Sequence, residues 1–370
     1  MKKILFITQN LDRTGSEMVL WYLLNHLDKK DYSIYVFCIK KGELYDLLPP
    51  EIKKGTPYRE SKKWYLSALR AIVKITGNDP LAYQLKQIQA SFKADLWYVN
   101  TLAIPQVHPI AKELNVKIVT HFHEYLFAYT FIKDRELKNI IDFSSVTIGC
   151  SELVCQKLKE LGHKDVKLQY SFIDEKLIQP NEDRIKQLKI KHGILDTDFV
   201  WVISGKTTYL KGLDYVLSLM DRFKENSRVK ILWIGGKQQT GLDYFVQHVT
   251  KERYVDKLIF TDSVTDDYYN YFSIGSAYLS LSREECLSLA MLEAAFLEKP
   301  IVSFATGITR QFVKEGMGFV TEIGDLQGII KAMEYLHENP NQKTYLLKEA
   351  ALEFTVSEQI PKYKAVLEQI

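Results

Sequence analysis

Short apolar runs recur along this chain, separated by longer stretches in which apolar positions return at helical spacing. The first half holds runs over residues 4–8, 32–38, 95–100, 116–122, 146–149 and 166–170. The second half holds runs over 199–204, 229–236, 257–260, 277–281 and 301–304. Helical patterns fill gaps such as 17–27, 287–297 and 326–337, and the chain's end. Runs that are apolar throughout, rather than alternating, read as strands covered on both faces, the pattern of a parallel sheet. Strands that alternate with helices predict an α/β fold. The alternation starts afresh between about 171 and 182, and 370 residues exceed a typical single core, so two domains are expected.

Composition narrows the reading without redirecting it. The chain has 49 Lys and Arg against 46 Asp and Glu, a net charge of +3, which gives no reason to expect nucleic acid. Cys38, Cys150, Cys155 and Cys286 form no CxxC pair and no evident disulfide framework, so thiols in a reducing cytoplasm are expected. No apolar run reaches the length of a membrane span, and the first ten residues are too short a run for a secretory leader. Residues 51–76 are the most basic stretch, with Lys53, Lys54, Arg59, Lys62, Lys63, Arg70 and Lys74. Trp64, Tyr65, Leu69, Ile72 and Ile75 could form a helical stripe within it. Two readings stand: a packed helix with a solvated basic face, or peripheral contact with the inner face of a membrane through residues 53–75.

The candidate chemistry sits where strands run into helices. Strand 277–281 leads through Ser282-Arg283-Glu284-Glu285 into the helical pattern at 287–297, which carries Glu293. On an ideal helix Glu285 and Glu293 would stand about 12 Å apart, a span suited to a nucleotide sugar. Helix starts at strand C-termini favour phosphate. Strand 199–204 leads into Gly205-Lys206-Thr207, but a P-loop would need its first glycine at Val200, so that motif fails. Strand 116–122 leads into His121, His123 and Glu124, and no further ligand with suitable spacing supports a metal there. Gly15, in the loop after the first strand, would let backbone approach a ligand, and Ser16 is the expected cap of the following helix.

The segment from Glu285 to Glu293, followed by Lys299-Pro300, resembles the E-x7-E motif of the retaining GT-B glycosyltransferases of family 4, the glycosyl transferases group 1. Gly205-Lys206 and Lys211-Gly212 are similar to that family's Gly-Arg-Leu-x-x-x-Lys-Gly, with Lys206 in place of Arg. Thr14-Gly15-Ser16-Glu17 stands for Gly-Gly-x-Glu, and His123-Glu124 for its His followed by an acid. The resemblance implies an α/β GT-B architecture: two Rossmann-like domains with parallel sheets facing an interdomain cleft. Residues 1–175 would bind the acceptor, 176–355 would bind the nucleotide sugar, and the helix 356–370 would cross back to the first domain.

The resemblance also implies a hexosyltransferase acting in cell-surface polysaccharide assembly, with a UDP-sugar donor favoured and a glycan or lipid-linked acceptor. His123, Lys206, Lys211 and Glu285 would be catalytic. The donor would touch Gly15, Lys206, Lys211, Val264, Glu285, Leu287, Ser288, Leu289 and Glu293. The lysines and the backbone at 287–289 would hold the diphosphate, Glu285 the sugar, Glu293 the ribose and the backbone at Val264 the base. No acidic metal motif is present, so neither metal nor a cofactor beyond the substrate is expected. Departures at Thr14, Lys206, Cys286-Leu287-Ser288, Glu298 and Arg310 keep two alternatives open, a catalytically silent nucleotide-sugar-binding subunit and a GT-B nucleotide-sugar epimerase.

Overall fold

The computed structural model describes residues 1–61, 63–340 and 345–370. The chain forms two compact units, Met1–Ser171 with Val356–Ile370, and Phe172–Thr355. The first holds a sheet of β1 (Lys2–Thr8), β2 (Tyr32–Cys38), β3 (Lys53–Gly55), β4 (Leu96–Val99), β5 (Lys117–Phe122), β6 (Val146–Gly149) and β7 (Val166–Leu168). The second holds β8 (Phe199–Ser204), β9 (Val229–Ile234), β10 (Leu258–Phe260), β11 (Ala277–Ser280), β12 (Ile301–Phe304) and β13 (Gly318–Thr321).

Every pairing in both sheets is parallel. The first sheet runs β3-β2-β1-β4-β5-β6-β7 and the second β10-β9-β8-β11-β12-β13. Central strands are buried along their length, as in β8 and β4, because helices cover both faces. The edges are less apolar: β3 exposes Lys53 and Lys54, which discourages a further strand from pairing there. Each order reverses once, between β1 and β4 and between β8 and β11. These are the switch points outside whose carboxyl ends open α/β sheets bind ligands.

Two expectations need correction. The first helix is Gly15–His26, so Ser16 lies inside it and Thr14, with extended backbone, occupies the N-cap position; the Thr14 hydroxyl donates to the Glu17 carboxylate and makes no capping bond to the backbone. The helix after β11 is Leu289–Phe296, two residues shorter at its start than expected, because the Ser288 hydroxyl caps it by accepting from the Met291 N–H. Glu285 therefore lies in a loop, and the ideal-helix spacing to Glu293 does not apply. The basic stretch contains β3, a 3-10 turn Tyr58–Glu60 and the helix Trp64–Ile75, which carries the expected apolar positions, while Lys62 lies outside the described residues. Strand β13 gave no apolar run to read; it is half-buried throughout.

Candidate active site

In the second unit the loops after β8 and β11 meet at the switch point. Lys211 Nζ is ion-paired with Glu285. The lysine stem lies along Gly205, where an added Cβ would come within 3.3 Å of Lys211 Cε. Gly212 is in the left-handed region at φ +75, and a side chain there would run into the Leu281 carbonyl, so the close approach of the loops requires glycine. The Arg283 backbone N–H donates to the Leu210 carbonyl at 2.8 Å. Its guanidinium grips Asp214 through two bonds of 2.9 and 2.7 Å and lies over the rings of Tyr209 and Tyr215. A bidentate fork stacked between aromatics is rigid, and it ties the β8 loop to the β11 loop.

Glu293 is buried on the helix Leu289–Phe296, where it accepts hydrogen bonds from Tyr268 at 2.7 Å and Tyr269 at 3.1 Å. Tyr268 also bonds to Ser204 at the end of β8, at 2.7 Å. Burial pushes the Glu293 carboxyl up to about 7, against the opposing pull of the two phenols. Both carboxylates thus stand at the carboxyl end of the sheet. Glu285 is held by a cation and Glu293 by neutral donors.

The other expected donor contacts are in the same loops. Lys206 is exposed just beyond β8, Val264 is half-buried after β10, Leu287 is buried, Ser288 caps the helix and Leu289 begins it. The backbone N–H groups at that helix start have no intrahelical acceptor, which is what an anion needs.

The first unit carries the remaining two residues at its own switch point. Asn100, directly after β4, donates to the Ser16 carbonyl at 3.1 Å, and its carboxamide oxygen meets His123 Nε2 at 3.2 Å. It therefore links the start of the Gly15 helix to the end of β5. An added Cβ at Gly15 would meet nothing within 4 Å, so the fold leaves that space open. Glu124 interacts electrostatically with His123. Its carboxylate takes the Thr101 hydroxyl and the His123 backbone N–H, and burial raises its pKa. His121 is fully buried against Tyr98, and burial holds its pKa well below the usual value, which suits a neutral structural imidazole. Among the described residues, no group of three His, Cys, Asp or Glu side chains is placed to hold a metal ion.

Asn100, Arg283, Asp214, Tyr268 and Tyr269 were not singled out from the sequence as site residues. Arg283 stood inside the turn already marked, and only its pairing was hidden. The two tyrosines precede Glu293 by about 25 positions, and no local pattern connects them.

Two open parallel sheets in two Rossmann-like units, each with candidate residues at its switch point, make up the α/β GT-B fold. Residues 184–353 match the family model of glycosyl transferases group 1. An O-antigen chain mannosyltransferase C from Escherichia coli is 26% identical over 189 residues, covering 50% of this chain and 48% of that protein's length. An uncharacterized glycosyltransferase from Haemophilus influenzae is 22% identical over 99% of this chain and 100% of its own. HepE from Anabaena, solved in complex with UDP-glucose, has the same fold, with a TM-score of 0.82 over 100% of both chains at 18% identity.

Proposed function

We propose that the protein transfers a hexose from a nucleoside diphosphate sugar, with retention of configuration, to a glycan or lipid-linked acceptor in cell-surface polysaccharide assembly. A UDP-sugar is the favoured donor. The observation that carries this reading is the Lys211–Glu285 pair at the second switch point, beside an open helix start. The relatives agree in kind: one is an O-antigen mannosyltransferase and a protein of the same fold was solved with UDP-glucose.

In the reaction, the bond between the anomeric carbon and the β-phosphate oxygen breaks and its electron pair leaves on the phosphate. Lys206 and Lys211 offset the charge that grows there, and the backbone at Leu287, Ser288 and Leu289 donates to the diphosphate. Fixed cations stabilise this transition state more than the ground state. Glu285 exchanges its lysine for sugar hydroxyls, Glu293 accepts from the ribose, and the backbone at Val264 holds the base. From the first unit, Gly15 admits the donor and His123 bonds to the sugar near the reacting carbon. The acceptor hydroxyl attacks on the face from which the phosphate departs, and its proton passes to that phosphate. Cations from the protein fill the role a divalent metal has in other transferases, so no metal or further cofactor takes part. We place this activity in the cytoplasm at the inner face of a membrane; among the described residues no helix is long and apolar enough to cross one.

A thermal-shift screen of UDP-, GDP- and ADP-sugars, followed by turnover assays, tests the reading. The expected result is a raised melting temperature with a UDP-sugar. Lys211→Ala and Glu285→Ala should each lower kcat about 100- to 1,000-fold, by comparison with the loss of one oxyanion donor. Tight nucleotide-sugar binding with no turnover on any acceptor would leave a silent binding subunit instead. Conversion of UDP-N-acetylglucosamine without acceptor would favour the epimerase.

A further inference from the structure

Asn100 is a buried amide between the two elements that carry the first unit's site residues. It follows β4 directly and is 2% exposed. Its backbone N–H donates to the Ile7 carbonyl at 2.9 Å, which pins it to the end of β1. Its side chain reaches in two directions: the amide nitrogen to the Ser16 carbonyl at 3.1 Å, and the amide oxygen to His123 Nε2 at 3.2 Å. The two ends of an amide have nearly the same shape, so chemistry has to decide which end faces which partner. Ser16 decides it. A backbone carbonyl only accepts, so the amide NH2 must face it. Turning the amide over would set its oxygen against the Ser16 carbonyl, two buried acceptors with no proton between them.

The consequence passes to the histidine. With an acceptor fixed opposite it, His123 Nε2 carries the ring proton, and the neutral ring keeps its lone pair on Nδ1. His123 is held from two further sides. The ring of His121 stands 3.8 Å away, centre to centre, and the His123 backbone N–H donates to Glu124 at 3.0 Å. A ring that offers a lone pair is an acceptor, so a sugar hydroxyl that bonds to Nδ1 has to be the donor.

We propose that Asn100 is a positioning residue: anchored on the Ser16 carbonyl, it fixes His123 as the Nε2–H tautomer, so that Nδ1 accepts from a hydroxyl of the donor sugar. A hydroxyl that donates gains electron density on its oxygen. That density offsets the positive charge that grows at the anomeric carbon as its bond to phosphate breaks. The hydroxyl keeps its proton, and no proton is transferred in this contact. The opposite tautomer would donate to the same oxygen and draw density from a centre that is losing electrons. The sugar contact rests on the glycosyl-transfer reading, which it deepens; the tautomer rests on the first unit alone.

Long-range proton–nitrogen NMR spectra of the full-length protein at pH 8, with no nucleotide sugar present, read the tautomer. The His123 signals are assigned by their loss in His123→Gln. The wild type should carry its ring proton on Nε2 alone. Asn100→Leu, which removes the acceptor, should give shifts averaged between the two neutral forms. Asn100→Asp, which keeps an oxygen opposite the ring, should restore the Nε2–H form. A wild-type proton on Nδ1, or wild-type shifts in Asn100→Leu, would overturn the proposal. A double-mutant cycle on turnover with a UDP-sugar then tests whether Asn100 acts through the ring. Asn100→Leu alone should lower kcat about 100-fold, the scale of a misplaced group at a reacting centre. Added to His123→Ala, it should cost no more than about twofold further. The same 100-fold loss with the ring already gone would show a merely structural role and overturn the proposal. Asn100→Ala replaces Asn100→Leu in both measurements if thermal melts show the latter to be unfolded. The spectra need no substrate, so the two readings fail separately: absence of turnover with every donor would sink the glycosyl-transfer reading and the sugar contact, and leave the tautomer standing.

Discussion

Glu293 sits in a dry pocket between two phenol hydroxyls, and that setting decides when it is charged. Its pKa of about 7 lies above the ordinary carboxylate value because burial penalises the anion. A raised folded-state pKa means that the fold binds the proton more tightly than the unfolded chain does. The associated stability is fully present below about pH 4.5 and is lost as pH rises through 7, a cost of about 3 kcal/mol above that point. Glu293→Gln should therefore match the wild type in melting temperature at pH 4 and exceed it at pH 8, as a calorimetric pH series would show. The same variant should weaken nucleotide-sugar binding most at pH 8, where the wild-type carboxylate is ionised and accepts ribose hydroxyls best. Gly15 makes the opposite case, a residue whose identity the fold does not require. Gly15→Ala enters open space at a helix start, so stability should change by no more than about 0.5 kcal/mol. If the donor approaches that backbone, kcat/KM should still fall at least tenfold. Steady-state kinetics alongside thermal melts would separate the two effects.

At the scale of elements, the site is two loops held at a fixed spacing, and the Arg283–Asp214 fork does the holding. Arg283→Lys keeps the charge but loses both the paired bonds and the flat stacking over Tyr209 and Tyr215. The expected result is a fall in kcat well beyond the change in melting temperature, since the loop that carries Lys211 would lose its register with Glu285. Parallel measurement of kcat and thermal unfolding checks this. The elements also show what the sequence could disclose. Strands such as β8 and β4 were legible because burial on both faces makes them apolar throughout. The Lys211 and Glu285 loops were legible because each follows such a strand directly. Strand β13, half-buried at a sheet edge, had no such signature. Neither did the helix start at Ser288 in place of Leu287, because a cap is decided by one hydroxyl and not by periodicity. The tyrosines around Glu293 were hidden for a further reason: they reach it from another helix, and only the folded sheet brings the two together.

At the scale of the molecule, the chain's last helix belongs to the unit in which the chain began. Val356–Gln369 buries Tyr363 and Leu367 fully against the first unit. Gln359 accepts from Gln169 at 2.8 Å, the Leu367 carbonyl accepts from Lys2, and the Tyr363 ring stands 5.8 Å from that of His121. His121 is the neighbour of the proposed sugar-binding His123, with ring centres 3.8 Å apart. The first unit's core is thus completed by the helix Val356–Gln369, and Tyr363 reaches the proposed sugar-binding His123 through one intervening ring. Truncating Tyr363 to Ala removes a fully buried aromatic and should destabilise the first unit by about 3 kcal/mol or more. Because the two units have separate cores, the loss should be local. Hydrogen exchange should quicken in β4 and β5 and stay unchanged in β8 through β12. Uniform quickening across both sheets would show instead that the units unfold as one, and the helix would then have to be counted as part of a single cooperative structure.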